Sequence, residues 1–240
     1  MKSLRTLLIP SVAFSVLTLG CGMSKPLFPV HADTKTPLQI VLDQLDAASK
    51  SFKNAQADVL SDVYTRSIKA HDKEPGSIYV ERSGGATTMG AITIDPGTKA
   101  PTKIVAFNGS TFQLYTVGTN QVDVFKATAS QAKYDSFLTL GFGGSGTDLA
   151  KNWTINDQGP ETIDGVKTEK LDLVSKDPSV SNLFSHVTIW VDPTRAVSLK
   201  QIFFAPSGDN RTATYTNIKL NSSINKKPYA ISNKATRISH

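Results

Sequence analysis

Between Thr102 and Phe125 the chain runs TKIVAFNGSTFQLYTVGTNQVDVF: three short apolar-rich segments, two Gly-containing turns and no proline. This pattern predicts three consecutive antiparallel strands. Asn108-Gly109 is the stronger turn signal, because a tight hairpin needs both central residues at positive φ, which Asn and Gly adopt at least cost. Within the middle strand Phe112, Leu114 and Thr116 alternate with Gln113, Tyr115 and Val117, so neither face is purely polar. A meander with a greasy second face must cover it, with protein or with a ligand.

Upstream the period changes to that of a helix. Leu38, Val41, Leu42, Leu45, Ala48 and Phe52 fall on one face, Asp43 and Asp46 on the polar side, and Thr36-Pro37 supplies a cap and a first-turn proline. Strands are predicted at 57–68, 77–82 and 87–95. From Ser130 to Leu140 the β rhythm breaks into a helix-compatible run, followed by Gly141-Phe142-Gly143-Gly144-Ser145-Gly146, which reads as a mobile loop. No Lys-Ser or Lys-Thr follows these glycines, so they do not form a phosphate-binding loop. A short helix at 148–152 precedes strands at 153–155, 168–174, 186–191, 198–205 and 212–220. The sum is roughly ten strands and few helices, without an internal repeat or a linker.

The start of the chain has a different layout. Lys2 and Arg5 precede an uncharged apolar run from Thr6 to Gly20, and the first acidic residue is Asp33. That is the form of a secretory signal, too short and too interrupted by Pro10 for a membrane span. Two processing sites are open. Leu19-Gly20-Cys21 resembles the end of a lipobox, with Thr18 departing from it, and would leave Cys21 acylated; Val30-His31-Ala32 suits cleavage before Asp33. Residues 1–32 are therefore a signal segment and optional tether, 33–225 a single domain, and 226–240 a basic C-terminal tail. Periplasmic localisation is expected, with anchoring to a membrane if Cys21 is acylated.

Cys21 is the only cysteine, so disulfides and Cys-ligated metals are excluded from the body and stability must come from a core. Roughly 208 residues beyond the signal suffice to bury about 70% of the unfolded surface. The formal net charge is +6; Lys2, Arg5 and Lys25 leave with the segment, which lowers it to +3. The remaining basic residues are scattered until Lys226, Lys227, Lys234 and Arg237, which argues against nucleic acid and suits weak attraction to anionic lipid.

The order of elements resembles the LolA family of periplasmic lipoprotein carriers. The resemblance rests on the N-terminal helix, Tyr79-Val80-Glu81-Arg82, the run from Ile104 to Tyr115, Phe137-Leu138-Thr139-Leu140, Trp190-Val191-Asp192 and the closing Thr216-Asn217-Ile218-Lys219-Leu220-Asn221. It implies an α+β, mostly β fold: an incomplete antiparallel β-barrel of about eleven strands, with an N-terminal helix and short lid helices over an apolar cavity for acyl chains. It also implies an arginine that holds the lid closed, at the place of Arg82. Ser83 stands where the family has Pro, and Ala86-Thr87-Thr88-Met89-Gly90-Ala91 where it has an aromatic-rich strand, so a differently shaped pocket is expected.

The resemblance makes Val59, Val63, Ile78, Val80, Met89, Ile92, Phe112, Leu114, Val122 and Val124 the lining candidates. Arg82, Phe137, Leu138, Leu140 and Phe142 are the lid candidates, beside glycines that would let the lid move. The expected partners are lipoprotein acyl chains or free lipid, an inner-membrane donor and an outer-membrane acceptor, with no cofactor and a monomeric carrier. An acylated Cys21 would instead make the chain a LolB-like receptor, and a third alternative is an envelope-sensing module that binds a protein partner. Enzyme chemistry has little to build on. His71 lies in a charged loop, AHDKEPG, His186 begins a strand, and neither accompanies a Gly-x-Ser-x-Gly elbow or a His-Glu-x-x-His spacing.

Overall fold

A computed structural model of the chain describes residues 35–126 and 140–240. Thr36 and Pro37 open helix α1 (Pro37–Ser51) as their chemistry dictates. The Thr36 hydroxyl accepts from the Gln39 amide at 3.2 Å and the Gln39 side-chain oxygen accepts from the Thr36 amide at 2.8 Å, a reciprocal capping box. Its apolar stripe is the expected one: Val41 and Leu45 are buried, and Leu38, Leu42 and Ala48 pack beside them.

Twelve strands follow among the described residues: β1 (Asn54–Thr65), β2 (Ala70–Ser83), β3 (Ala86–Ile94), β4 (Pro101–Phe107), β5 (Thr111–Thr116), β6 (Gln121–Lys126), β7 (Trp153–Ile163), β8 (Val166–Ser175), β9 (His186–Asp192), β10 (Val197–Phe204), β11 (Asn210–Leu220) and β12 (Thr236–Ser239). Short helices α2 (Gly146–Asn152) and α3 (Pro178–Ser181) precede β7 and β9. All strands join one open sheet in the order β12-β6-β5-β4-β3-β2-β1-β11-β10-β9-β8-β7. Every pairing is antiparallel except that of β12 with β6. The fold is mostly β, an incomplete barrel with an N-terminal helix, as expected. No helix among the described residues is long and apolar enough to cross a membrane.

Several local expectations change. The predicted hairpin joins β4 to β5, but its central residues are Gly109 and Ser110, closed by the Asn108 amide donating to the Thr111 carbonyl at 3.3 Å. Only Gly109 takes positive φ, at 91°. Asn108 contributes through its side chain, whose oxygen accepts from the amides of Ser110 and Thr111 at 3.1 and 2.8 Å.

The stretch AHDKEPG is strand, not loop. β2 pairs with β1 from Ala70 to Glu81 but meets β3 only from Gly76 onward, so Pro75 sits where no neighbour needs an amide donor. A Cβ at Gly76 would lie 2.0 Å from the Ile92 carbonyl oxygen, which is why the neighbouring strand can approach there. β7 likewise runs far beyond Ile155, through Gly159 and Pro160. It is an end strand with a register shift between Asp157 and Pro160, and such a strand tolerates both residues.

The sheet's two faces have different covers. On the helix face, α1 and α2 lie over Trp153, Leu171, Leu173, Val187, Ile189, Val191 and Phe203. On the opposite face the chain's own C-terminal residues cover Tyr79, Ile92, Ile104, Tyr115 and Val122 with Tyr229 and Ala235. The segment expected as a basic tail thus carries a 3-10 turn (Lys227–Tyr229) and a strand. Its charges are used locally: Lys226 pairs with Glu81, and Arg237 donates to the Gln113 side-chain oxygen at 3.1 Å.

Candidate functional site

Alternation along the paired strands decides which lining candidates share a face. On β1 to β5, Val80, Met89 and Phe107 are buried, with Val59, Ile78, Val105 and Phe112 packed against them in a cluster that includes Phe52 and Phe142. Leu114 pairs with Val105 in register and follows Phe112 on the same face. Val63 lies further along the same face of β1, separated from Val59 by Ser61, and is 36% exposed. Val59, Ile78, Val105, Phe112 and Leu114 are all half-buried, which makes a continuous apolar lane that its neighbours cover incompletely. Ile163 and Val166, from the far β7–β8 turn, pack on the same cluster.

Ile92, Val122 and Val124 lie elsewhere. They point to the opposite face, under Tyr115, Tyr229 and Ala235, so the chain's own C-terminal segment covers that side of the meander. Gly90 makes this possible: a Cβ there would sit 2.3 Å from the Tyr79 ring and 3.0 Å from Tyr229, whose rings meet edge-on at 4.8 Å. The Tyr229 hydroxyl reaches the Ser77 hydroxyl at 2.9 Å.

Arg82 ends the β2 row on the helix face. Its Nη2 donates to the Gly143 carbonyl at 2.9 Å, its Nη1 to the Ser49 carbonyl at 3.4 Å, and its guanidinium lies 5.7 Å from the centre of the Phe52 ring. One side chain therefore ties the meander to the end of α1 and to the glycine-rich segment. Of the other lid candidates, Leu140 and Phe142 are buried, while Phe137 and Leu138 lie outside the described residues, as does Cys21.

The glycine-rich segment is held at many points. Gly143 donates to Ala196 and Ser198 to Gly141, both at 2.7 Å, Phe142 bridges to Val197, and the Phe142 ring stands edge-on to Tyr215 at 5.0 Å. Its glycines serve close approach: a Cβ at Gly143, whose φ is +74°, would lie 2.3 Å from the Phe52 ring, and one at Gly146 2.1 Å from the Leu42 carbonyl oxygen. Ser145 caps α2, accepting from the Asp148 amide at 3.0 Å. Asp46, expected as solvated surface, instead accepts from the Thr147 amide and hydroxyl at 2.9 and 2.8 Å and so locks α1 to α2. Beneath the segment the Tyr215 hydroxyl donates to Gln201 at 3.0 Å, and burial pushes its pKa up to about 12 against a smaller opposing pull from Arg211.

Two cavities lie elsewhere. One of about 30 Å³ lies between α1, α2 and β9, lined by Leu45, Leu140, Leu149 and Ile189, with room for roughly one water molecule. A cleft of about 290 Å³ opens beside α3, lined by Lys151, Trp153, Lys176 and Val180. His71 and His186 take part in cross-strand pairs. His71 Nδ1 lies 2.8 Å from Asp62, and His186 Nδ1 lies 2.7 Å from Asp172 while its ring stacks on Phe204 at 4.1 Å. No group of three metal-ligating side chains occurs among the described residues.

The roles of Asp46, Gln201, Tyr215 and Tyr229 were not visible in the sequence reading. For Tyr229 a signal existed, since Pro228-Tyr229-Ala230-Ile231 is an apolar interruption in a basic stretch. The partners of Asp46 and Tyr215 are distant in the chain and leave no local pattern.

The order of strands, the single open sheet and the N-terminal helix give the open, incomplete-barrel architecture that the sequence resemblance implied. Among solved structures, the chain is similar to an uncharacterized conserved protein from Thermus thermophilus, with TM-score 0.53, 11% identity and coverage of 85% of this chain and 100% of that one. It is similar also to the Pseudomonas aeruginosa MucA/MucB complex structure, with TM-score 0.50, 12% identity, 85% of this chain and 64% of that one. A LolA superfamily protein from Nitrosomonas europaea matches more loosely, with TM-score 0.39, 14% identity, 82% of this chain and 98% of that one. No family model matches the chain, and no curated protein sequence does.

Proposed function

We propose that the protein is a non-enzymatic carrier. It binds acyl chains of lipoproteins or other lipids on the helix face of β1 to β5 and moves them in the periplasm from an inner-membrane donor to an outer-membrane acceptor. The observation that carries this reading is the half-buried row Val59, Ile78, Val105, Phe112 and Leu114, with Val63 further along β1. Each methylene that leaves water for such a surface contributes about 0.8 kcal/mol, so a long chain is extracted without covalent chemistry. Leu140 and Phe142 belong to the lid side, and Arg82 is the clasp whose two carbonyl contacts hold it closed.

Mass spectrometry of protein purified under native conditions, with titration of an apolar dye, tests the reading. Co-purifying lipid and dye uptake that falls in Leu114→Gln are expected; no lipid across several preparations together with no uptake overturns it. Labelling with a palmitate analogue, compared with Cys21→Ala, separates a tethered LolB-like receptor, which requires Cys21-dependent label, from a free shuttle. A second reading, an envelope-sensing module, is favoured by the likeness to MucB, whose structure was solved with MucA. It is the one to adopt if no lipid binds.

A further inference from the structure

At one end of the apolar lane stands a cation with no hydrogen-bond or ion-pair partner among the described residues. Arg211 on β11 pairs in register with Val63 of β1 on one side and with Phe203 of β10 on the other, so its side chain emerges on the helix face between an exposed Val and a buried ring. Its guanidinium lies 4.9 Å from the centre of the Phe203 ring. The residue itself is exposed.

Of the other charges at this end, Asp209 accepts from the Arg66 amide at 2.8 Å and from the Ser207 hydroxyl at 2.9 Å. Glu74 is 3.7 Å from Lys103, and Asp72 pairs with Val63 in register, which places it two strands, roughly 10 Å, from Arg211. A guanidinium resting on an aromatic face is partly stripped of water and keeps its planar fork of donors free. Such a group binds a carboxylate or phosphate through two parallel hydrogen bonds.

We propose that Arg211 is the head-group site of the lipid-binding face, so that the preferred ligand is an acyl chain ending in an anionic head, with the chain along Val63 and Val59 and the head on the guanidinium. This rests on the carrier reading and narrows its ligand class. The probes are dansylaminoundecanoate and its uncharged methyl ester, titrated by fluorescence into wild-type protein, Arg211→Gln, Arg211→Lys and, as a control for general positive charge, Lys103→Gln.

The wild type is expected to bind the carboxylate roughly tenfold more tightly than the ester. Added salt should reduce that preference. Arg211→Gln should abolish it while leaving ester affinity and the thermal midpoint unchanged; Arg211→Lys should keep part of it, and Lys103→Gln all of it. Equal binding of the two probes by wild type, a preference that persists in Arg211→Gln, or one lost in Lys103→Gln overturns the head-group site and leaves the carrier reading standing. Failure of both probes to bind overturns the carrier reading and this site with it.

Discussion

The two halves of the helix face are built from the same kind of antiparallel strand and end in opposite states. Over β7 to β10, helices α1 and α2 close the surface, and Leu171, Leu173 and Val187 are 0% exposed. Over β1 to β5 the row through Val59, Val105, Phe112 and Leu114 stays half-buried. Apolar composition alone therefore does not make a core. The first half gives its side chains complete covers and serves stability; the second leaves area available to something else. Between them run Arg82 and the glycine-rich segment, attached to both.

The sharpest way to break this contrast is to remove the same side chain from each half. Leu171→Ala should cost about 3 kcal/mol in urea unfolding, because its cavity cannot collapse between the sheet and the helices. Equal losses at Leu171 and Leu114 would erase the distinction. Gly143→Ala should cost about 2 kcal/mol, since the residue needs positive φ and its new methyl meets Phe52. A neutral result would mean that the segment is looser than its contacts indicate.

The β9–β10 turn, which holds that segment through Ala196, gives a pH test. Burial pushes the Asp192 carboxyl up, but hydrogen bonds from Thr194 and Arg195 outweigh it and hold it below the ordinary carboxylate range. With the folded-state pKa depressed, the stabilisation is fully present above the unfolded value and is lost as pH falls through the folded one. Asp192→Asn should therefore cost about 1.5 kcal/mol at neutral pH. The gap from wild type should close in acid, followed by denaturant midpoints across pH.

Arg82→Leu should lower stability by about 1 kcal/mol or less and speed release of bound dye; unchanged release kinetics would remove Arg82 from the mechanism. The smallest stability effect is expected for Leu114→Ala, under about 1 kcal/mol, accompanied by weaker dye uptake. That pairing of little stability with much binding is the signature of the half-covered lane.

Much of the fold was legible. The Thr36-Pro37 start, the apolar stripe from Leu38 to Phe52 and the alternation of the meander are local patterns, and each appears as an element of the expected type. Pro75 and Pro160 misled because proline excludes a strand only where a neighbour needs its amide, and neither position has such a neighbour. The run of glycines read as a hinge because a glycine that supplies freedom and one that admits a neighbour look identical in one dimension. The resemblance singled out Arg82; its contacts with the Ser49 and Gly143 carbonyls belong to the tertiary structure. The division of Ile92, Val122 and Val124 from Val80, Met89 and Phe112 did not.

By itself the sequence determined the uncharged apolar run behind Lys2 and Arg5, the cysteine-free body, the helix cap and the strand periodicity, because each depends on residues within a few positions of one another or on composition alone. Only the tertiary structure decided which apolar face is covered by the chain's own C-terminus and which is left half open. Alternation assigns residues to two faces but not to a cover, and Tyr229 and Ala235 reach Val122 from a distant part of the chain. The same holds for Arg211, ordinary in sequence, which register with Val63 and Phe203 sets as an exposed cation at the end of an apolar lane.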